Sequence, residues 1–537
     1  MHRRSFLKAS AAAALLPMAA STTATAAQKQ QVLRLAMTLS DIPLTTGQAT
    51  GGAEGIRFIG NSLYDGLFQW ELRHRDRTSK LIPSLAESYT IDPETKTTWT
   101  FRLRKGVKFH DGSEFTADAV IWNIDKLLNR KAPQFDPAQN AAGGFFIADL
   151  KSYRKVDDYT VALTTAKPDS MFFYRISYIM MSSPDRWKAL GGDWRKFAQH
   201  PSGTGPWILD SLVPHQRAEL VRNPHYWDPS RVPKLDRLIL FPMPDATTRA
   251  SALLAGQVDW IEAPPPDTVP RLRAAGKQII TNVYPHIWPY FISYTKDSPF
   301  SDIRVRKAAN LGIDRDGLVQ FLGGLAKPAV GSVDVSSPWF GKPTFEIKHD
   351  PAQAKALLAA AGYGPNKPCK VKFLTSQAGS GQMQPVPMNE FVQESLKDVG
   401  FDVSIEVIDW EALRARRGDR ADGPENKGIY GLNNSWSTQD PDFGLLSVIS
   451  SKRFPPAGNN WGLYSDPAAD AIITRVVNEF DPDKRDGILA ELHQHVVDQS
   501  MWIWVVHDLN PRGLAPDVKG FVPPRNWFVD LTTVYIA

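Results

Sequence analysis

The segment from Cys369 to Trp410 constrains the fold most, because it predicts a strand, a helix and a second strand in succession. The strings "CKVKFLTS" and "FDVSIEVIDW" are typical of strands, and "MNEFVQESLKDVG" between them is typical of a helix. Strands joined through a helix usually lie side by side and parallel in one sheet. The unit therefore predicts an α/β fold.

Strand and helix patterns alternate along the rest of the chain in several discontinuous blocks. The strings that predict strands include "QVLRLAMTLS", "TWTFRLRKGVKFHDG", "YTVALTTAK" and "MWIWVVHD". The string "TADAVIWNIDKLL" has apolar residues at helical spacing, and Thr116 is placed to cap that helix. A chain of 537 residues is too long for a single core, so two or three lobes are expected.

The N-terminus has the pattern of an export signal. Arg3 and Arg4 precede Ser-Phe-Leu-Lys, a short apolar run follows, and Ala24-Thr25-Ala26 offers a cleavage site. The run is too short to cross a bilayer. We therefore predict a removable twin-arginine signal over residues 1–27 and a periplasmic mature protein.

Composition excludes several classes of function. The 62 basic residues include three in the predicted signal, and the others nearly balance the 57 acidic residues, which gives no reason to expect a nucleic-acid partner. The single cysteine, Cys369, allows neither an internal disulfide nor a multi-cysteine metal site. No metal site and no cofactor are predicted.

Several strings resemble the family 5 extracellular solute-binding proteins, the receptors of oligopeptide, dipeptide and nickel ABC importers. They occur in the order typical of the family and cover nearly the whole mature chain: "LIPSLAESYTIDPETKTTWTFRLRKGVKFHDGSEFTADAVIW" at 81–122, "GTGPWIL" at 203–209, "VRNPHYW" at 221–227, "ALLAGQVDW" at 252–260, "SPFSDIRVRKAANLGIDRDGLV" at 298–319 and "AKALLAAAGY" at 354–363.

The resemblance implies a periplasmic-binding-protein-like, two-lobed clamshell with an additional small inserted N-terminal domain. The ligand would lie between lobes I and III, which would close over it about a hinge. The implied boundaries are lobe I at 28–60, 190–283 and 503–537, the inserted domain at 61–189, and lobe III at 284–502.

Motifs for catalysis are absent from the sequence. It contains no G-x-S-x-G elbow, no H-E-x-x-H string and no P-loop, and no pair of carboxylates stands out as the catalytic pair of a glycosidase. The chain is therefore predicted to be a binding protein and not an enzyme. An exported hydrolase is the remote alternative.

The stretch "NNSWSTQDPDF", from Asn433 to Phe443, bears on the ligand. In peptide-binding members of the family, the corresponding stretch carries an aspartate three residues after the tryptophan, and that acid pairs with the peptide's α-ammonium group. Here the third residue after Trp436 is Gln439, and Asp440 follows it. The anchor is thus either shifted to Asp440 or missing. Asp440 could instead cap the helix predicted after it.

The predicted ligand-binding residues fall into four groups. The "NNSWSTQDPDF" stretch supplies amides and hydroxyls that suit sugar hydroxyls and an indole that suits the face of a sugar ring. Aromatic residues and arginines of lobe III and an N-terminal loop supply the others; Arg414, Arg416 and Arg417 could reach a carboxylate or phosphate. The full set is Trp436, Gln439, Asp440, Asn433, Asn434 and Ser437; Trp288 and Tyr290; Trp410 and Arg414; and Ser40, Asp41 and Thr45.

Two ligand classes stay open at this point. The resemblance favours a short peptide or peptide-like solute, whereas the local chemistry around Gln439 favours a glycoside, an opine-like compound or another polyhydroxylated solute. The expected partners are this ligand and the permease subunits of an ABC importer in the inner membrane. The protein is expected to be a monomer.

Overall fold

The computed structural model describes residues 30–537, so the predicted signal at 1–27 lies outside the described residues. The strands in chain order are β1 Val32–Met37, β2 Phe68–Trp70, β3 Leu81–Pro83, β4 Ala86–Ile91, β5 Thr98–Leu103, β6 Leu150–Asp157, β7 Thr160–Thr165, β8 Trp207–Val213, β9 Arg217–Arg222, β10 Arg237–Pro242, β11 Trp260–Glu262, β12 Gln278–Ile280, β13 His286–Ile292, β14 Ala326–Pro328, β15 Cys369–Ser376, β16 Phe401–Ile408, β17 Gly431–Asn433, β18 Trp436–Ser437, β19 Ile503–Asp508, β20 Arg512–Leu514, β21 Val518–Lys519 and β22 Tyr535–Ile536.

The α-helices in chain order are α1 Gly52–Gly55, α2 Asn61–Leu63, α3 Ala117–Leu128, α4 Pro137–Gly143, α5 Phe172–Ile176, α6 Pro184–Ala189, α7 Trp194–Gln199, α8 Ala246–Leu254, α9 Val269–Ala274, α10 Ile303–Gly312, α11 Arg315–Phe321, α12 Pro351–Ala360, α13 Pro385–Val399, α14 Trp410–Gly418, α15 Ser447–Ile449, α16 Pro467–Asn478 and α17 Pro482–Asp498. Two further segments, Ile56–Gly60 and Asp442–Leu446, are π-helical, a rare conformation that is often found at functional sites.

The first large sheet has the strand order β12-β20-β11-β1-β10-β9-β8. Its central strand β1 runs parallel to both β10 and β11. Leu33, Leu35 and Met37 of β1 are fully buried in the core of this sheet, so the predicted N-terminal strand lies at its centre.

The second large sheet has the order β14-β19-β13-β17-β15-β16, with β18 added beside β13. The predicted strand–helix–strand unit is β15, α13 and β16, and the two strands pair in parallel from Cys369–Phe401 to Ser376–Ile408. The α/β prediction is therefore confirmed.

A four-stranded antiparallel sheet, β4-β5-β7-β6, forms within the segment predicted as an inserted domain. Helix α3 packs against it and begins after Thr116, as predicted, but the Thr116 side chain makes no capping hydrogen bond. Trp99 and Phe101 of β5 anchor the core between this sheet and its helices.

The chain crosses between the two large sheets twice. The first crossing lies between β12 and β13, near the predicted boundary at 283, and the second lies between β19 and β20. The residues 503–508, assigned from sequence to lobe I, form β19 and pair with β13 and β14 in the second sheet. The second crossing therefore follows Asp508, because the ladder with β14 continues to that point. Among residues 30–537, no helix is both long and apolar enough to cross a membrane.

Candidate ligand-binding cavity

A cavity of about 550 Å³ is bordered by strands β13 and β18 of the second sheet and by loops and helices from other parts of the chain. Single residues such as Tyr178, His286 and Ser380 complete the wall. The main lining segments lie within 49–56, 140–148, 410–418, 434–443, 455–459 and 527–528. The residues that meet here are far apart in the sequence, so only the tertiary fold creates the site.

Aromatic rings form much of the cavity wall. Phe146 and Tyr178 stack with ring centroids 4.5 Å apart, and Trp436 and Phe443 stack at the same distance. His286 also stacks on Trp527, with centroids 4.7 Å apart. These flat surfaces suit a ligand with apolar or ring-shaped parts.

Trp436 is held in a fixed position on the second sheet. Its backbone pairs with β13, and its indole Nε1 donates a hydrogen bond of 3.1 Å to the Gly444 carbonyl. The Arg417 guanidinium lies over the indole ring, 5.2 Å from the centroid. The predicted residue Trp436 therefore borders the cavity with one arginine stacked on its face.

Arg417 differs from the other arginines around it. Arg414, Arg416 and Arg420 each lie within 4.0 Å of a carboxylate, whereas no such ion pair of Arg417 occurs within residues 30–537. Its Nη1 donates a hydrogen bond of 3.3 Å to Asn434 Oδ1. Burial, and to a smaller extent the charge of Arg414, lower the pKa of Arg417 to about 9, so the group is still charged at neutral pH.

The Gln439 side chain is already engaged by the protein. Its Nε2 donates to the Tyr178 hydroxyl at 3.1 Å, and its Oε1 accepts from the Trp527 backbone N–H at 3.1 Å. The Gln439 amide therefore joins distant segments across one side of the cavity.

Asp440 lies behind the cavity wall. It is 1% exposed and does not line the cavity. The Tyr178 hydroxyl and the Phe443 backbone N–H donate to its two carboxylate oxygens at 2.5 and 2.8 Å. Burial raises the pKa of Asp440 to about 7. The residue directly before the helical segment Asp442–Leu446 is Pro441, so Asp440 accepts from the Phe443 N–H at the start of this segment without being its N-cap.

The cavity wall of the described chain contains arginines but no aspartate or glutamate. Several of its polar groups have no hydrogen-bond partner within residues 30–537, namely Trp410 Nε1, Trp527 Nε1, Ser437 Oγ and both ring nitrogens of His286. Burial lowers the pKa of His286 to about 3, so that its ring is neutral. These unpartnered atoms are buried within the wall, which contains no acidic side chain among the described residues.

Glycines let aromatic rings approach the backbone beside the cavity. A side chain at Gly379, which has φ +142°, would place its Cβ 2.4 Å from Trp410 Cδ2. A Cβ at Gly381 would lie 2.3 Å from Trp527 Cη2 and 2.8 Å from His286 Nε2. The short "GSG" string, which resembles no phosphate-binding motif, therefore allows close ring packing at this site.

Six of the predicted ligand-binding residues border the cavity, and seven do not. Those that do are Trp436, Gln439, Asn434, Ser437, Trp410 and Arg414.

Three predicted residues of the second sheet have structural partners instead. Trp288 and Tyr290 are fully buried in the core, where Tyr290 donates to Asn389 Oδ1. Asn433 donates to the Pro289 carbonyl at 3.0 Å and accepts from Thr375 Oγ1 at 2.9 Å. All three lie in strands that are buried along their whole length, so alternation could not show which face borders the cavity.

The predicted N-terminal contacts also lie away from the cavity. Ser40 is exposed, and Asp41 accepts from the backbone N–H of His215 at 2.6 Å. Thr45 is buried and donates to the Ala198 carbonyl at 2.6 Å. Residues slightly further along the same segment, from Ala49 to Ile56, border the cavity in their place.

Direct contacts join the N-terminal segment to the residues that follow β15 of the second sheet. Thr38 Oγ1 donates to the Gly379 carbonyl at 3.3 Å, and the Glu54 backbone N–H donates to Ser380 Oγ at 3.1 Å. The Arg175 guanidinium also lies 3.2 Å from Asp442. These contacts join segments that are far apart in the sequence.

Metal binding is not supported by the side chains of the described residues. Within 30–537, no group of three or more His, Cys, Asp or Glu side chains is arranged to hold a metal ion.

Comparison with known proteins gives consistent matches over most of the chain. The sequence model "Bacterial extracellular solute-binding proteins, family 5 Middle" matches residues 80–468. The "Glutathione-binding protein GsiB" of Shigella dysenteriae is 28% identical over 476 residues, which cover 86% of each chain.

Solved structures show the same fold. A periplasmic binding protein of Helicobacter pylori, DppA in complex with the peptide STSA, matches with a TM-score of 0.80 and 24% identity over 94% of this chain and 98% of that one. A dipeptide-binding protein of a Pseudoalteromonas species, in complex with Met-Leu, matches with the same TM-score and 22% identity over 94% of this chain and 100% of that one. The fold is therefore that of two-lobed periplasmic binding proteins.

Proposed function

The chain belongs to the family 5 bacterial extracellular solute-binding proteins, and we propose that it captures a small organic solute in the periplasm and delivers it to the permease of an ABC importer. The observation that carries this proposal is the cavity of about 550 Å³, which is walled by strands β13 and β18 of the second sheet and by the segment that follows β1 of the first sheet. Its size and its aromatic lining suit a small organic molecule.

We assign the two large sheets to two lobes that close over the solute. The crossings at 281–285 and 509–511 are the natural hinge, because only these two segments connect the sheets. Lobe I then contains β1, β8–β12 and β20, lobe III contains β13–β19, and the four-stranded sheet lies in the inserted domain. The contacts of Ser380 and Gly379 with the N-terminal segment would form on closure.

A peptide-like solute is the first ligand class. The GsiB relative is named as a glutathione-binding protein, and its similarity extends over 86% of this chain. A polyhydroxylated or opine-like solute is the second class. It is favoured by a specific observation, the neutral Gln439 at the position of the ammonium anchor.

Capture of a ligand by the native protein tests the proposed function. The protein is purified from the periplasm, its intact mass is measured under native conditions, and any bound molecule is released by denaturation and identified. A stoichiometric small molecule that raises the melting temperature of the stripped protein is expected. Absence of any bound molecule, together with no stabilisation by peptide or sugar-acid libraries, would contradict the proposal. Unchanged recovery of the released molecule after long incubation is also expected, since a hydrolase would convert it.

Export by the twin-arginine route is tested separately. Replacing Arg3 and Arg4 together by lysine should leave the protein in the cytoplasm, whereas His2→Gln should not affect its export. Periplasmic recovery of the double variant would contradict this route.

A further inference from the structure

We propose that the cavity selects a carboxylic acid that carries no free ammonium group, such as an N-acylated amino acid or short peptide, and that Arg417 binds its carboxylate. This inference rests on the proposed receptor function and names the ligand class that the same cavity takes.

The charges of the cavity wall favour an anion. Of the two arginines that line it, Arg414 is paired with Glu411 at 3.1 Å, whereas Arg417 has no carboxylate within 4.0 Å among the described residues. A guanidinium binds a carboxylate through two parallel hydrogen bonds, and because it is more weakly hydrated than an ammonium group it is well suited to a buried pair of this kind. Among residues 30–537, the guanidinium of Arg417 makes one hydrogen bond, to Asn434, and one cation–π contact, with the Trp436 ring, so part of its hydrogen-bonding capacity stays open.

A free ammonium group finds no matching acid in the wall. An ammonium has three donors and no acceptor, and its burial requires an opposite charge or several acceptors. No aspartate or glutamate of the described chain lines the cavity. The Gln439 amide bridges Tyr178 and the Trp527 backbone, and both oxygens of Asp440 already accept hydrogen bonds behind the wall.

The aromatic part of the wall suits the uncharged part of such a ligand. Trp410 and Trp527 line the cavity together with the stacked rings. The stacked pairs Trp436–Phe443 and Phe146–Tyr178 suit the apolar acyl group or side chain of such a ligand.

Three matched probe sets test the inference: N-acetyl-Ala-Xaa dipeptides, the free Ala-Xaa dipeptides, and N-acetyl-Ala-Xaa amides, each covering all side chains at Xaa. Each set is incubated with the ligand-stripped protein, and retained members are identified by mass spectrometry after gel filtration. We expect retention from the acetylated acids, with affinities at least about tenfold higher than those of the free dipeptides and the amides.

Variants then connect the selectivity to Arg417. Arg417→Gln should lose at least about tenfold in affinity for the retained acids, and Arg417→Lys should recover part of it, since the charge is restored without the bidentate geometry. Arg420→Gln, whose side chain pairs with Asp422 outside the cavity, is the control. Melting temperatures of all variants show whether each is folded.

The outcomes separate this inference from the proposed function. Equal or tighter binding of free dipeptides or amides, or full affinity in a folded Arg417→Gln protein, would overturn the ligand class while leaving the receptor function intact. No binding from any set, together with no bound molecule in the native protein, would overturn both.

Discussion

The Tyr178 hydroxyl donates a hydrogen bond of 2.5 Å to Oδ2 of Asp440, and it thereby joins the region of the four-stranded sheet to the segment that follows β18. The same hydroxyl accepts from Gln439 Nε2 at 3.1 Å. Both carboxylate oxygens of Asp440 are hydrogen-bonded, but no arginine or lysine of the described chain pairs with it. One tyrosine therefore supports two neighbouring residues of the predicted ligand-binding stretch.

The free energy of unfolding should fall as pH rises from about 4 to about 7 because of Asp440. Burial raises its pKa from 3.8 to about 7, so its stabilising contribution is present at low pH and is lost as pH rises through 7. The contribution amounts to at most about 4 kcal/mol, at about 1.4 kcal/mol for each pKa unit. Calorimetry across this range checks the slope.

Asp440→Asn should make this slope shallower. It should not abolish it, because burial also raises the pKa of Asp508 to about 7. Asp422→Asn, which changes a more exposed aspartate paired with Arg420, is the matched control and should leave the slope unchanged. An Asp440→Asn protein with the pH slope of the unchanged protein would show that Asp440 does not titrate in this range.

Gln439→Asp should give the protein affinity for free dipeptides. The substitution places a carboxylate at the cavity wall, where an α-ammonium group can pair with it. A charge-assisted hydrogen bond contributes roughly 1.5–3 kcal/mol, which corresponds to roughly ten- to hundredfold in affinity. Isothermal titration with Ala-Xaa dipeptides at pH 8 measures the gain. Gln439→Ala is the control, and equal behaviour of both variants would show that charge at this position is irrelevant.

The sequence predicted the elements better than it predicted the wall of the cavity. The parallel β15–β16 pair followed from local strand and helix patterns, and Trp436 and Gln439 were found because they lie in one recognisable stretch. Tyr178 and Trp527 also border the cavity, but they come from distant segments that carry no local motif. Only the tertiary fold brings such residues together.

Burial on both faces of a strand explains the misplaced aromatic residues. All seven residues of β13 are buried, so its sequence shows no alternation that would separate a core face from a cavity face. His286, at the start of this strand, borders the cavity, whereas Trp288 and Tyr290 pack in the core. If β13 were buried on one face only, alternation of polar and apolar residues in its sequence would have separated the core face from the cavity face.

Ser380→Ala should weaken ligand binding by making closure less favourable. In the closed arrangement the Glu54 backbone N–H donates to Ser380 Oγ, and the variant leaves that buried donor without its partner. The loss of about 1–3 kcal/mol corresponds to roughly five- to hundredfold in affinity. Small-angle scattering should show that Ser380→Ala still closes at saturating ligand. The variant should need a higher ligand concentration than the unchanged protein to reach the closed form.

Ser447→Ala is the matched control for this closure effect. Ser447 donates to the Phe443 carbonyl within the same segment, so its loss does not affect a contact between distant segments. Equal loss of affinity in the two variants would contradict a specific role of Ser380 in closure.

Trp410→Phe should reduce affinity for the native ligand two- to tenfold while changing the melting temperature little. Trp410 lines the cavity, and phenylalanine removes part of the ring surface available to the ligand, which contributes about 0.5–1.5 kcal/mol. Its Nε1 has no partner within residues 30–537, so the substitution breaks no hydrogen bond of the protein. Trp461→Phe is the control, because its Nε1 is equally unpartnered in the described chain but the residue does not line the cavity. Isothermal titration with the released ligand measures both variants, and an unchanged affinity in Trp410→Phe would show that this ring does not contact the ligand.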